Sequence, residues 1–521
     1  MTWMKRGKVF ARVLRRDSSF YIGVVTITFF GLLVRIPTLS HGSLFRDDAW
    51  VALTSRVSLG TAWRMVGTAP GFTLFERWWV GLTAPSTYLA QLPTLLISTL
   101  AIALIALIVR WWGFSRHAAL LAAIVMAVGR TNINYATHLK PYAHDLVAAA
   151  LILATAEAFR RGKSLWPFAV ISLICFATSF TIAPLLAGVT VVLVLHARYT
   201  QRTHELLTPG LLLMSGAATL YATCARGISP ALRTAWSANY ISLSSPSAFL
   251  HSFSSITQSL IAGLADTTPH LHVPGYSKLV VGLVLVAVIV SVWKDRQGAA
   301  LPLAALASSF MCAALHLAPL GTGRTDAYLY PALLLLLSGS FDRGVIWAQG
   351  RHRYGSVVSV SLVAVLLFLP LVDRATTTGH YPGGSIDPVV SAARGVTSTA
   401  GAVLIEGTAR WPWTYYRESH VKIFWSQRYN TGFSTSSAER NIYVMPGTII
   451  EGGYDAHAAV RRLDKYDKIL YVQSDDWPSM GRPLASSFQR ACYLRTTTTH
   501  VPGFVMEVWA RPALNHCPRA N

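Results

Sequence analysis

The sequence predicts a polytopic α-helical membrane protein of about eleven transmembrane helices, followed by a C-terminal extracytoplasmic α/β domain. Three observations predict it. Of 521 residues, 52% are hydrophobic and only 13% are charged, whereas a soluble domain carries about 25% charged residues. The apolar residues fall in runs that approach or reach the ~20 residues a helix needs to cross a bilayer. After residue 371 the texture changes, and short strand-like runs separated by turns replace the long apolar ones.

The runs centre on 19–36, 87–109, 118–135, 142–159, 165–181, 183–197, 208–224, 276–293, 299–318, 326–341 and 355–371. Pro184 sits where the fifth and sixth meet, which leaves 165–197 as either two spans or one re-entrant hairpin. The transmembrane part is thus 1–371 and the soluble α/β domain 372–521.

The net charge is +22. In a soluble chain that would point to nucleic acid. Here the basic residues lie mostly in short gaps between spans, where they set topology and meet anionic membrane lipid, so no nucleic-acid partner is expected. Lys5, Arg6, Lys8, Arg12, Arg15 and Arg16 precede the first run, and Arg110, Arg116, Arg160, Arg161, Lys163, Arg198, Arg202, Lys294, Arg296, Arg343, Arg351 and Arg353 fill every second later gap. The positive-inside rule places these in the cytoplasm, with the first run an uncleaved signal anchor in the plasma (inner) membrane. An odd number of spans then puts 372–521 outside.

Two outer connections are long, 37–86 and 225–275. The first contains Trp63–Met65 and Phe72–Trp79, which read as short helices at the interface. The second ends with His270 and His272, whose alternation is a weak metal-site signal. Long loops are often functional. In the soluble part, Pro382-Gly383-Gly384 reads as a turn, 402–405, 469–472 and 504–509 as strands, and 455–465 as a helix. Cys492 and Cys517 are a disulfide candidate in an oxidising compartment. Cys175, Cys224 and Cys312 fall in or at the ends of spans.

Few acids are available for chemistry at the outer face: Asp47, Asp48, Glu76, Asp145, Asp266 and Asp326. A general base must be one of them or a histidine. Asp47-Asp48 follow the first span by about ten residues. Adjacent carboxylates repel, so the pair is either a site or, more simply, a helix N-cap or a solvated loop pair. Thr137-His138-Leu139-Lys140-Pro141-Tyr142-Ala143-His144-Asp145 joins the third and fourth spans. Pro141 suits a helix start, Tyr142 and Asp145 share a face, and Lys140 reaches the outer mouth, as a phosphate ligand or a snorkelling interfacial lysine. The third constellation is Gly321–Pro331, with Arg324 able to grip a phosphate or to pair with Asp326. There is no Walker loop, no Gly-x-Ser-x-Gly elbow and no His-Glu-x-x-His helix.

In this order the three constellations resemble the GT-C superfamily of polytopic glycosyltransferases. The branch they are most similar to is that of the aminoarabinose transferase and protein O-mannosyltransferase families, which use polyprenyl-phosphate sugars. Asp47-Asp48 match the family's early acidic pair. Lys140-Pro141-Tyr142 match its Lys/Arg-Pro-Tyr motif, and Arg324, Tyr330 and Pro331 look like its late Arg with Tyr-Pro. The resemblance implies Asp47 or Asp48 as catalytic base, with Asp47 favoured. It implies Lys140, Arg324, Arg46 and Tyr142 at the donor phosphate, with His138, Asp145, Tyr330 and Glu76 in support. It implies a polyprenyl-phosphate sugar donor, a glycan, glycolipid or protein acceptor, and inversion at the anomeric carbon. The chain departs from the pattern at Thr137-His138, where many relatives have Gln-Glu. A divalent metal is therefore left open, and no other cofactor is implied. Trp411, Trp413, Tyr415 and Tyr416 offer either sugar-stacking faces or domain core. The rival readings are a lipid or glycan transporter or flippase, and a non-catalytic envelope assembly protein. Polar motifs gathered at one face, without repeats, favour the enzyme.

Overall fold

The computed structural model describes residues 18–40, 42–44, 46–65, 69–84, 86–224, 236–265, 276–351, 385–418, 421–425, 433–447, 455–474 and 481–512. The expected span at 355–371, the His270/His272 loop, Asp266, the Pro382-Gly383-Gly384 turn and Cys517 lie outside these residues.

The helices of the first part are, in chain order, α1 (Ser18–Arg35), α2 (Arg46–Ala52), α3 (Leu59–Arg64), α4 (Pro70–Thr83), α5 (Thr87–Ala90), α6 (Leu92–Trp112), α7 (Arg116–Val128), α8 (Arg130–Asn134), α9 (Tyr142–Arg160), α10 (Trp166–Thr178), α11 (Ala183–Tyr199), α12 (Leu207–Cys224), α13 (Pro246–Ala265), α14 (Tyr276–Lys294), α15 (Arg296–Ala314) and α16 (Tyr330–Arg351). Among the described residues, six helical segments are long and apolar enough to cross a membrane: Ser18–Thr38, Thr87–Trp112, Tyr142–Arg160, Phe180–Tyr199, Thr203–Thr223 and Arg296–Ala314. Three apolar helical stretches are shorter: Arg116–Val128, Trp166–Thr178 and Val284–Trp293. Ile22, Val25, Leu100, Ile174 and Met214 stand exposed on this bundle. That is the surface a multi-pass membrane protein turns to lipid.

One run differs from the expected spans. The run at 118–135 breaks at Gly129, whose backbone is extended (φ −56°, ψ 129°), into α7 and the short α8. Arg35, buried at the end of α1, stabilises the break. It donates to the carbonyls of Met126 and Ala127 at 2.9 Å and to Ser98 Oγ at 3.0 Å. Those carbonyls belong to the last turn of α7, where a cation is favoured. The stretch 165–197 forms two separate helices around a 3-10 turn at Phe180–Ile182. Pro184 opens α11, where its missing N–H costs nothing. α10 packs on α9 and α12, whereas α11 packs on α15. At Gly188 a Cβ would lie 2.2 Å from Ala304 O, so glycine is what lets these two backbones touch.

The second part adds α17 (Asp387–Ser398), β1 (Ala402–Ile405), α18 (Arg410–Arg417), β2 (Lys422–Trp425), β3 (Phe433–Ser436), β4 (Ile442–Val444), α19 (Ala456–Arg462), β5 (Lys468–Ser474), α20 (Gly481–Arg490), β6 (Leu494–Val501) and β7 (Phe504–Ala510). Five strands form one sheet in the order β4-β1-β5-β7-β6. β1 runs parallel to β4 and β5, and β7 runs antiparallel to β5 and β6. Val403, Ile405, Leu470 and Val472 face α17, while Ala402, Leu404, Ile469 and Tyr471 face α19 and α20. Both faces are covered, which is why β1 reads as an unbroken Ala-Val-Leu-Ile run. β2 and β3 make a separate hairpin beside α18.

The two parts meet through α18, which packs on α2. This brings the C-terminal domain to the same end of the helical bundle as Asp47, Lys140 and Arg324.

Candidate active site

Asp47 and Asp48 lie in the first turn of α2, where the helix dipole favours negative charge. Beyond that turn they diverge. Asp48 is fully buried. Its Oδ1 accepts the Leu139 backbone N–H at 3.0 Å and lies 3.3 Å from His138 Nδ1. Asp47 is partly exposed and faces cations. Arg46 Nε is 3.5 Å from its Oδ1, and an Arg324 terminal nitrogen is 3.5 Å from its Oδ2. The pair is thus a helix start and a cluster member at once. Asp48 anchors the connection that carries Lys140, and Asp47 sits among the charges.

That connection enters from the break after α7. Thr137 Oγ1 donates to Thr38 O at 2.9 Å. His138 and Tyr142 both pack on Tyr135, with ring centroids 5.1 and 5.0 Å away. Pro141 caps α9, which begins at Tyr142. Lys140 is buried, with Nζ 4.7 Å from the centre of the Trp50 ring.

Arg324 is presented by a tight turn. Gly321 (φ +75°) lies against Ile256, where a Cβ would come within 2.9 Å of Ile256 Cα. Both the backbone and the space therefore require glycine. Thr322 Oγ1 accepts from the N–H of Arg324 at 3.1 Å and of Thr325 at 2.8 Å, and donates to Asp326 Oδ1 at 2.9 Å. Asp326 therefore braces the turn from below, and Arg324 pairs with Asp47. The Arg324 guanidinium carbon lies 4.8 Å from the centre of the Trp236 ring.

The electrostatics follow from this packing. Burial alone would raise the Asp47 pKa, but the charges of Lys140, Arg46 and Arg324, with His138, outweigh it and hold the carboxyl well below the usual range. Burial lowers Lys140 despite the nearby Asp47 and Asp48. Glu76, on α4, is buried among residues that pack on α2. Burial first, and the Asp48 charge second, push it up to about 8. Glu76 is therefore largely neutral near pH 7. Among the described residues three basic side chains, Arg46, Lys140 and Arg324, then gather around Asp47 and Asp48. Such a cluster attracts an anion.

The remaining expected residues fall in two groups. Tyr142 lies near enough to Arg324 to act on its charge. Asp145 is fully buried one turn further along α9, with Ser179 and Thr181 beside it, away from the cation cluster. Tyr330 is fully buried, its hydroxyl against Gly263 and Thr131, and it packs the bundle. His144 packs on Phe72 and Phe75. Trp411, Trp413 and Tyr415 are buried and offer no face to a sugar. Trp413 is domain core, its indole N–H donating to Glu418. Cys492 is disulfide-bonded. Among the described residues no three His, Cys, Asp or Glu side chains are grouped to hold a metal ion. The oxygens of Asp47 face arginines, and Oδ1 of Asp48 faces Leu139 and His138.

Two residues at the cluster escaped the sequence reading, Trp50 and Trp236. Each backs one cation with an aromatic face. Trp50 had a signal, since it lies two residues past Asp48. Trp236 had none beyond its place in the second long loop.

No protein-family model and no curated protein matches the chain. Among solved structures it is similar to ArnT from Cupriavidus metallidurans in the apo state, at 15% identity and a TM-score of 0.39, covering 93% of this chain and 97% of that one. It is likewise similar to the same protein bound to undecaprenyl phosphate, at 14% identity and a TM-score of 0.39, covering 95% and 98%. At that level no residue role, ligand or reaction transfers from them to this chain.

Proposed function

We propose that this protein is a membrane glycosyltransferase. It moves a sugar from a polyprenyl-phosphate donor to a hydroxyl of an envelope glycan, glycolipid or protein at the extracytoplasmic face, with inversion. The observation that carries the reading is the gathering of Arg46, Lys140 and Arg324 around Asp47, at the end of the bundle where the C-terminal domain sits. A phosphate has the charge and the oxygens to engage them.

The chemistry then runs as one displacement. Asp47 takes the proton of the acceptor hydroxyl as its oxygen attacks the anomeric carbon. The bond from that carbon to the phosphate oxygen breaks, and the polyprenyl phosphate leaves with one more negative charge. Lys140, Arg324 and Arg46 stabilise that charge where it develops. Attack opposite the leaving group inverts the centre. Both oxygens of Asp47 face arginines. A bound phosphate gives those arginines another partner and frees the carboxylate to act as base.

The test is analysis of envelope glycans in a strain lacking the protein, complemented with wild type and with Asp47→Asn. Wild type restores the missing glycan and Asp47→Asn does not. Full rescue by Asp47→Asn removes the proposed base. An unchanged glycan profile on deletion removes the enzyme reading altogether.

A further inference from the structure

We propose that the C-terminal domain forms part of the transfer site, with Trp411 and Tyr416 of α18 as positioning residues for the acid-bearing helix α2 and for Lys140. The proposal rests on the transferase reading above and extends it to residues that touch neither substrate nor reacting atoms.

The helix α18 belongs to two cores at once. Trp413 and the preceding Ala409 pack in the domain's own core with Val403, Ile405 and Leu470. Trp411 and Tyr415, four residues apart and so on one face, pack instead with Leu44, with Ala49, Trp50 and Val51 of α2, and with Leu139, the segments that build the cation cluster. The chain of contact is short. The Trp411 ring lies 6.2 Å from the Trp50 ring, and Trp50 lies 4.7 Å beneath Lys140 Nζ. Polar contacts fix the same junction. Tyr416 Oη accepts the Leu44 N–H at 2.9 Å and shares a hydrogen with Thr87 Oγ1 at 2.7 Å. Arg56, just past α2, donates to the carbonyls of Thr414, Tyr415 and Glu418.

These contacts bear on function because of what they hold. An aromatic face fixes the position of an ammonium without taking up its N–H groups, which stay available to phosphate. That placement depends on the Trp50 ring, which Trp411 supports from the side of the domain. The Leu44 N–H bond fixes the segment that enters α2 two residues later, and with it Asp47. Misplacement of about 1 Å at such a site is enough to cost two orders of magnitude in rate.

The experiment uses the full-length protein in lipid nanodiscs, with undecaprenyl phosphate as the probe. Trp411→Ala, Trp411→Phe and Tyr416→Phe are compared with wild type by probe affinity and by amide hydrogen exchange. Rescue of the envelope glycan is scored in the deletion strain. Trp411→Ala should weaken the probe by about 5- to 10-fold and speed exchange across 46–52 at least tenfold, whereas Trp411→Phe, which keeps an aromatic face, should stay within about twofold. Tyr416→Phe removes one oxygen and no packing, so it is the mildest of these changes to the fold. It should speed exchange at 44–48 and lower glycan rescue. Overturning results are Trp411→Ala and Tyr416→Phe proteins that bind and exchange as wild type does. A Trp411→Phe protein as impaired as Trp411→Ala also overturns it, since that marks plain packing. If deletion leaves the glycans unchanged while affinity and exchange still respond, the coupling stands and the transferase reading alone falls.

Discussion

Two regions of this protein gather arginines and carboxylates at helix ends, and they are built on opposite plans. At the end of the bundle far from the C-terminal domain, Glu157 binds both Arg160 and Arg161, at 2.9 and 3.0 Å. Arg161 also donates to the carbonyls of Trp111 and Trp112 at the end of α6. Arg202 pairs with Glu205 at 2.7 Å and donates to the carbonyls of Phe159 and Lys163. These pairs are three or four residues apart, and the free carbonyls of helix C-termini consume the rest of the charge. At the domain end Arg46 is Asp47's neighbour in sequence, but Lys140 and Arg324 reach it from distant segments and rest on Trp50 and Trp236. Among the described residues, Lys140, Arg46 and Arg324 outnumber Asp47 and Asp48. The lesson is that a charged cluster marks a ligand where its charge is not settled locally.

The sharpest way to break this contrast is to remove the proposed base. Asp47→Asn keeps the shape of the side chain and should lower transfer by about 10²- to 10⁴-fold, the range for a positioned acid or base. The readout is glycan restored per unit of protein in the complemented strain. Asp48→Asn tests the other half of the pair. Its amide still offers an oxygen to the Leu139 N–H, but loses the charge beside His138. It should cost stability as well as transfer, which a thermal melt of the purified protein separates.

The next largest effect concerns the phosphate. Lys140→Met and Arg324→Ala should each weaken undecaprenyl phosphate binding by about 10- to 100-fold, the equivalent of ~1.5–3 kcal/mol for a charge-assisted hydrogen bond. Raising salt should weaken the wild type toward the variants. Arg324→Lys should recover only part of the loss, because an ammonium cannot present two parallel N–H groups. Binding within twofold of wild type for both Lys140→Met and Arg324→Ala would remove these residues from the donor site.

How much of this was legible beforehand follows from the physics of each element. The spans were legible where apolar length is the only requirement, as in Leu92–Trp112. The run at 118–135 was not, because its break depends on Arg35 arriving from another helix. β1 and β5 were readable because strands buried on both faces show continuous apolar runs. β6, Leu-Arg-Thr-Thr-Thr-Thr-His-Val, was missed because an exposed edge strand carries no apolar pattern. At the site, acids and bases near one face could be collected from the sequence. The division of labour between Asp47 and Asp48 could not, since it depends on which one the helix turns toward Leu139. Tyr330 shows the converse. It carries a motif's signature, and the fold uses it to fill space against Gly263.

Glu76 sharpens the contrast through pH. Its folded-state pKa is raised to about 8, from an ordinary value of 4.5. Between those values the folded protein keeps a proton that the unfolded chain releases, so the group costs stability increasingly as pH rises. Below 4.5 both states are protonated and the cost vanishes. Glu76→Gln removes the titration. The melting temperature of the variant relative to wild type should therefore climb from pH 4.5 to pH 8. A difference that is flat with pH would mean that Glu76 does not titrate in this range.

The smallest expected effect is the most discriminating control. Arg161→Ala removes an arginine, as Arg324→Ala does, from a region with a comparable density of charge. Its carboxylate partner keeps Arg160, and the vacated carbonyls lie at a helix end near the bundle surface. The loss of stability should be about 1 kcal/mol or less, and the affinity for undecaprenyl phosphate should stay within twofold. A drop as large as that of Arg324→Ala would mean that the lipid phosphate responds to total positive charge rather than to a built site. The distinction between the two ends of the molecule would then collapse.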